Sequence, residues 1–154
     1  MSDESLLIRA VCESPAEDTP RLMLADWYEE NDQPERAEFI RLQILLHNTS
    51  FIRAGGIHAR WPEPWVSRIK RANELVEAHG REWGGSATAQ KPKCPAHLFG
   101  PWFRRGFVWC VEFGNGRFFR DAELVFRSHP VERVTLEGRW PRSEFLVDDR
   151  PRWV

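Results

Sequence analysis

The sequence predicts an α+β fold, in which an N-terminal helical bundle packs on a small C-terminal βαβ unit. In the first half of the chain, hydrophobic residues recur at the spacing of amphipathic helices. Beyond residue 101 the period changes, and two short β-branched and aromatic runs flank one helical segment. We therefore expect a helical domain at 1–83, a linker loop at 84–101 rich in Gly, Pro and small polar residues, and a βαβ unit at 102–154.

An αα-hairpin is predicted near the start of the chain. Thr19 is a favourable N-cap, and Pro20 occupies the first helical position, where its missing N–H costs nothing. Asp32 ends this helix and starts a second one, with Glu35 at N3 in a capping-box pattern. Two helices joined by so short a turn must lie against each other. The second helix, to about residue 47, has too many apolar positions for one stripe, so we expect neighbours on more than one side.

Two more helices flank this hairpin. The first follows a Ser2 cap and ends at about Ser14, before Pro15. The other runs from about residue 63 to 79, with Gly80 as its natural C-cap.

The C-terminal part is predicted to be strand, helix, strand. Residues 107–113 form one aromatic and β-branched run, 118–128 is helical in pattern, and 131–136 is a second apolar run. Such a unit has parallel strands and a right-handed crossover. Two parallel strands are not stable alone, so the sheet must pack on the helices.

Charge is unevenly distributed although the net charge is −1. Residues 1–50 carry eleven acidic and four basic side chains, whereas residues 51–110 carry four acidic and ten basic ones. One interpretation is that the acidic hairpin and the basic middle neutralise each other within the fold. The other is a basic surface for nucleic acid or for an acidic partner.

Cysteine usage and hydropathy indicate a cytoplasmic protein. Cys12, Cys94 and Cys110 are odd in number and far apart, as is typical of a reducing compartment. The N-terminus has acidic residues where a signal peptide has basic ones. No apolar run approaches the ~20 residues of a membrane span, so we expect no membrane partner.

The run DTPRLMLADWYEENDQPERAEFIRLQ resembles the bacterial repeat-companion domain, a module of planctomycete and myxobacterial paralogues. The family pattern is close to D-x-P-R-L-x-x-A-D-W-L-E-E-x-G-D-x-x-R-A-E-F-I-R-x-Q. This chain departs from it at Tyr28, where Leu is usual, and at Asp32, where Gly-Asp is usual. The matching residues are Pro20, Arg21, Leu22, Ala25, Asp26, Trp27, Glu29, Glu30, Arg36, Ala37, Glu38, Phe39, Ile40, Arg41 and Gln43.

The resemblance is strong over 6–46 and moderate over 98–138. In such proteins the second segment leads into leucine-rich-repeat-like units, so the resemblance implies that the βαβ unit is one such repeat. It implies no catalytic activity.

Asp26 and Trp27 allow two interpretations each. Asp26 is either a buried catalytic carboxylate with a raised pKa or an arginine-paired residue that fixes the hairpin angle, and we expect the second. Trp27 is either a ligand-stacking platform or a core anchor, and again we expect the second.

The sequence contains only weak patterns for a zinc site, a cysteine nucleophile or a phosphate site. Cys94 and His97 have a C-x2-H spacing, but tetrahedral zinc would need Cys12, Cys110 or His129 as distant ligands. Cys110 lies in a predicted strand, where we expect it to be buried rather than a nucleophile. The 114–116 GNG turn lies between strand and helix, where a tight turn is commoner than a phosphate site. We expect no metal, no cofactor and no enzymatic activity.

The predicted function is therefore a protein–protein interaction or adaptor module, whose partner is another protein. Its structural motif residues are Pro20, Arg21, Asp26, Trp27, Arg36, Glu38, Phe39 and Arg41. The alternative is a nucleic-acid-binding accessory protein that uses the basic 51–110 stretch, because exposed aromatics stack bases and arginines hold phosphates. The contact residues predicted for a partner or a nucleic acid are Arg68, Lys70, Arg71, Trp102, Arg104 and Arg105.

Overall fold

The computed structural model describes residues 2–49, 63–85, 87, 103–114 and 117–137, without the side chains of 117–119 and 137. These residues contain five helices and four short strands, which confirms the α+β class. The helices are α1 (Asp3–Glu13), α2 (Thr19–Glu30), α3 (Pro34–Asn48), α4 (Trp65–Gly84) and α5 (Arg117–Ser128). The strands are β1 (Phe103–Arg104), β2 (Phe107–Val108), β3 (Cys110–Gly114) and β4 (Arg133–Glu137).

The αα-hairpin forms, but its caps differ from the predicted ones. The N-cap of α2 is Asp18, and Thr19 is already helical. The N-cap of α3 is Gln33, whose side chain makes no capping hydrogen bond. Asp32 instead adopts a left-handed φ of 58° in the turn. Asp32 therefore belongs to the turn and is not the N-cap residue, so the predicted capping box is wrong.

Helix α4 continues past Gly80 and ends at Gly84, and its C-cap is Gly85, whose φ is 47°. A Cβ atom on Gly80 would lie only 3.2 Å from Val76 Cγ1 and 3.7 Å from Phe103 Cε2. Gly80 therefore serves close packing inside the helix, and the predicted C-cap is wrong. The predicted Ser2 cap of α1 is present, since Ser5 N–H donates to Ser2 Oγ at 3.3 Å.

The predicted single strand at 107–113 is divided at Trp109. β2 pairs antiparallel with β1 through a turn in which Arg105 and Gly106 have φ values of 50° and 86°. Positive φ at both turn residues is the pattern of a type I′ hairpin. β3 pairs in parallel with β4, in register from Cys110 opposite Arg133, and α5 connects the two strands.

Two hydrophobic clusters lie on either side of α3. Val11, Leu24 and Ile40 belong to the first, which joins α1, α2 and α3 and also includes Phe107 from β2. Phe39 belongs to the second, which α4, α5 and the strands complete. Helix α3 is therefore covered on two sides, in accordance with its apolar pattern.

From a reducing compartment we expected free thiols, and not all of the cysteines are free. Cys12 is a free thiol, whereas Cys110 is fully buried and disulfide-bonded. None of the helices in the described part of the chain combines the length and apolar character needed to cross a bilayer.

Candidate functional site

Three arginines are buried in the described core, which is unusual because arginine is rarely buried without a partner. The exposed fractions are 1% for Arg21, 5% for Arg36 and 6% for Arg105. Arg21 and Arg36 are among the predicted structural motif residues of the hairpin. The hydrogen-bond and aromatic partners of the three arginines show which of them could bind a ligand.

Arg21 and Arg105 donate to backbone and carboxylate oxygens through their Nη atoms, although the buried Nε atom of each has no hydrogen-bond partner. Arg21 Nη1 donates to the Glu17 carbonyl at 2.7 Å. Burial, with the nearby charge of Arg105, lowers the pKa of Arg21 to about 10. Arg105 donates to the carbonyls of Pro15 and Ala16 at 2.6 and 2.7 Å, and to Asp18 Oδ1 at 3.0 Å.

Arg36 has aromatic neighbours instead. Its Cζ atom lies 4.9 Å from the ring centre of Trp83, 5.3 Å from Phe107 and 5.8 Å from Tyr28. Cations are attracted to such ring faces. Burial lowers the pKa of Arg36, while Tyr28 acts in the opposite direction. The buried Nη1 atom of Arg36 has no hydrogen-bond partner.

A cavity of about 290 Å³ lies beside this guanidinium. His129 lines it and is 6% exposed. Burial and the charge of Arg36 lower the pKa of His129 to about 4, against the effect of a hydrogen bond to the Gly84 backbone. The imidazole is therefore neutral at pH 7, and its Nδ1 atom has no partner. The other lining residues are Glu4, Ile8, Tyr28, Gln33, Glu82, Trp83, Gly85, Phe107 and Ser128.

Tyr28 connects this cavity to the acidic N-terminus. Its hydroxyl donates to Glu4 Oε1 at 3.0 Å. Burial, with a smaller contribution from Glu4, raises the pKa of Tyr28 to about 12, against the opposing effect of Arg36. Tyr28 is thus a neutral hydrogen-bond donor at physiological pH.

Asp26 is an exposed ion-pair partner, in line with the interpretation that we favoured. Its side chain is 65% exposed and accepts from Arg41 Nη2 at 2.6 Å. Arg41 also pairs with Glu29 at 2.7 Å. Asp26 is therefore a surface ion-pair partner and not a buried carboxylate.

Trp27 is only partly buried and packs at the edge of the first cluster. Its ring meets Tyr28 edge-on at 5.4 Å. The fully buried apolar positions of α2 are Leu24 and Ala25. Trp27 therefore lies at the margin of the core, whereas we expected it to be a core anchor. The other motif aromatic, Phe39, is fully buried and stacks on Trp83 at 5.0 Å.

Several predicted contact residues of the basic middle are engaged within the molecule. Arg71 donates twice to Glu38, at 2.9 and 2.6 Å. Arg104 donates to Glu132 at 2.6 Å, and Arg105 is buried against Asp18. The pairs of Arg71 with Glu38 and of Arg105 with Asp18 are the arrangement expected if the acidic first 50 residues and the basic middle neutralise each other, whereas Arg104 pairs with Glu132 of the C-terminal part.

The remaining predicted contacts lie on α4 or outside the described residues. Arg68 stacks over Trp65 at 4.8 Å, and Lys70 lies 3.9 Å from Glu74. Pro20, a predicted structural motif residue and not a contact residue, lies in the first turn of α2, as predicted. Trp102 is outside the described residues.

The described residues offer neither a grouped set of metal ligands nor a reactive thiol. Among them, no group of three or more His, Cys, Asp or Glu side chains is placed to hold a metal ion. Cys94 and His97 lie outside the described ranges, as does the GNG turn beyond Gly114. Burial raises the pKa of the Cys12 thiol, which makes it a poor nucleophile at neutral pH.

Strand β4 is the most exposed element of the sheet. Residues 110–113 of β3 are buried, whereas residues 133–136 of β4 are exposed, with Val134 and Leu136 at 40% and 43%. Leu124 and Phe126 on α5 add two exposed apolar side chains. Among the described strands, β4 pairs only with β3.

The site at Arg36 was not foreseen as a cavity. The signal in the sequence is that Arg36, Ile40 and Gln43 follow helical spacing, which places the arginine on a buried stripe. Nothing local marks His129 as its neighbour. Comparisons with protein-family models, with curated proteins and with solved structures found no match.

Proposed function

We propose that this chain is a non-enzymatic protein-binding module, whose binding surface is the exposed edge and apolar side chains of β4. The observation that carries the proposal is the contrast between the two strands of the parallel sheet: β3 is buried and β4 is exposed.

An exposed edge strand can receive another strand. A strand that pairs on one side presents N–H and C=O groups on the other, and a partner segment can satisfy them by strand addition. Val134 and Leu136 are two residues apart, so they lie on the same face of β4 and offer side-chain contacts to the added strand.

The resemblance to repeat-companion proteins supports the same proposal. In such proteins the corresponding segment leads into leucine-rich-repeat-like units, and each repeat adds a strand beside the previous one. The occupant that fits the β4 edge is therefore an extended segment or a repeat unit of another protein.

Affinity purification with mass spectrometry tests this proposal. The full chain is compared with a Val134→Lys/Leu136→Lys variant, because charges on an edge strand oppose strand addition. The control is Glu29→Lys, an exposed charge reversal on the hairpin. We expect a stoichiometric partner with wild type and control and a loss of that partner with the β4 variant.

Melting curves must show that all three proteins are folded. If no protein is enriched, or if the β4 variant retains the partner, the proposed surface is wrong.

The nucleic-acid alternative has less support, because Arg71, Arg104 and Arg105 pair with acidic residues of the chain itself. Binding to nucleic acid would weaken steeply with salt. Gel-shift titrations with single- and double-stranded DNA and RNA at ~50 and ~200 mM salt test it, and no shift at the lower salt would exclude it.

A further inference from the structure

We propose that the cavity beside Arg36 and His129 binds a small zwitterion that carries a carboxylate next to an ammonium group, of the size of a free amino acid. This site is separate from the β4 surface and does not depend on it. Four features of the cavity support the proposal: a guanidinium, an imidazole lone pair, two acidic residues in the lining, and aromatic side chains in the lining.

The guanidinium of Arg36 supplies the carboxylate-binding group. It is buried and forms no salt bridge with any side chain in the described part of the molecule, and its Nη1 atom has no hydrogen-bond partner. A buried cation without a paired anion is costly. A ligand carboxylate would provide both the opposite charge and the missing acceptor, in a charge-assisted hydrogen bond.

His129 supplies an acceptor for the ammonium group. Its ring is hydrogen-bonded to the Gly84 backbone, and the ring nitrogen without a partner is Nδ1. When a neutral imidazole donates through one nitrogen, the other presents a lone pair. That lone pair can accept a hydrogen bond, for which an ammonium group has donors and a carboxylate has none.

The acidic lining residues favour a zwitterion over a dianion. Glu4 and Glu82 line the same cavity as Arg36, so two carboxylates accompany one guanidinium. A phosphate would meet two like charges, whereas an ammonium group would be attracted to them. The described charges therefore select a ligand with both signs.

The volume limits the ligand to a small molecule. A cavity of about 290 Å³ is at the lower end of small-molecule sites, which span roughly 300–1,000 Å³. Trp83, Phe107 and Tyr28 provide ring surfaces for an apolar side chain. The ligand class is therefore an α-amino acid with an apolar side chain.

A ligand titration at pH 7 tests the proposal with the full chain. The probes are the standard L-amino acids, and the readout is the NMR shift of the Trp83 indole N–H, whose ring borders Arg36. The matched probes for leucine are isopentylamine, which lacks the carboxylate, and 4-methylpentanoate, which lacks the ammonium group. Inorganic phosphate is the probe for an anion that has no ammonium group.

We expect a saturable shift with at least one apolar amino acid. Each matched probe should bind at least about 10-fold more weakly, because it loses one charge-assisted interaction. A cavity that holds only water would give no saturable shift with any probe, and this result would overturn the proposal. Equal binding of the amine alone, or tighter binding of phosphate, would overturn it too.

A variant pair tests the acidic residues without disturbing the core. Glu82→Gln removes a carboxylate that lines the cavity, while Glu77→Gln removes an exposed one on the same helix that does not. We expect about 2- to 5-fold weaker binding for Glu82→Gln, as for a partly screened ion pair, and unchanged binding for Glu77→Gln. Equal affinities of the two variants would contradict the proposed orientation of the ligand.

Discussion

Arg105 Nη1 donates a hydrogen bond to Asp18 Oδ1 at 3.0 Å, although 87 positions separate the two residues in the chain. The same guanidinium binds the carbonyls of Pro15 and Ala16. The turn between β1 and β2 is thereby attached to the loop between α1 and α2. The helical hairpin and the first strands are consequently one packed unit.

Asp18→Asn should lower the free energy of unfolding by about 1–2 kcal/mol, because a charge-assisted bond to a buried arginine becomes a neutral one. Burial would raise the pKa of Asp18, but hydrogen bonds from Asn48 and Arg105 outweigh it and lower the pKa below its usual value. The matched control is Asp26→Asn, which breaks an exposed pair with Arg41 and should cost about 0–1 kcal/mol. Urea denaturation at pH 7 measures both, and equal losses would contradict the distinction between the two pairs.

Gly106→Ala should destabilise the protein by about 2–4 kcal/mol, from backbone strain and overpacking together. The φ of Gly106 is 86°, and an added Cβ would lie 2.6 Å from Ile40 Cγ1 and 3.0 Å from Ile40 Cα. Gly114→Ala is the control, because its Cβ would meet nothing within 4 Å. We expect that control to change stability by less than about 1 kcal/mol in thermal denaturation. A Gly106→Ala protein that melts like the control would show that the turn has another conformation.

Trp27→Ala should cost about 1–3 kcal/mol, since only part of the ring is removed from water. Phe39→Ala, which empties a fully buried position, should cost about 3–5 kcal/mol. Chemical denaturation of the two variants compares them directly. An equal loss would make Trp27 the anchor that its place in the motif predicted. An unchanged melting temperature together with lost partner binding would instead make Trp27 a binding residue.

His129 should make the protein less stable as the pH falls from 6.5 toward 4. Its pKa in the folded state is about 4, against an ordinary value of 6.5. Between these pH values the unfolded chain binds a proton that the folded protein excludes, so the free energy of unfolding decreases as the pH falls, by up to about 3 kcal/mol.

Denaturation at pH values of about 7 and 4.5 measures this effect. His129→Gln cannot bind the proton in either state, and its stability should change less between the two pH values. An identical pH dependence of His129→Gln and wild type would show that His129 is not buried in its neutral form.

The helices and the change from helix to strand could be predicted from local features. The Ser2 cap, Pro20 in the first turn of α2, the break near Asp32 and the apolar periods act over a few residues, so they specify α1, α2, α3 and α5 without tertiary contacts. The ion pair of Asp26 was foreseen for the same reason, since Arg41 lies on the neighbouring helix of one hairpin.

Contacts between distant parts of the chain decided the rest. Helix α4 continues past Gly80, where a distant residue, Phe103, packs close to the glycine, and the 107–113 run divides because each half has a different partner strand. The burial of Arg36 among rings from α2, α4 and β2, beside His129, depends on four segments meeting. Helical spacing placed Arg36 on a buried stripe, but only tertiary packing could determine what surrounds it, because burial depends on neighbours that are far away in the chain.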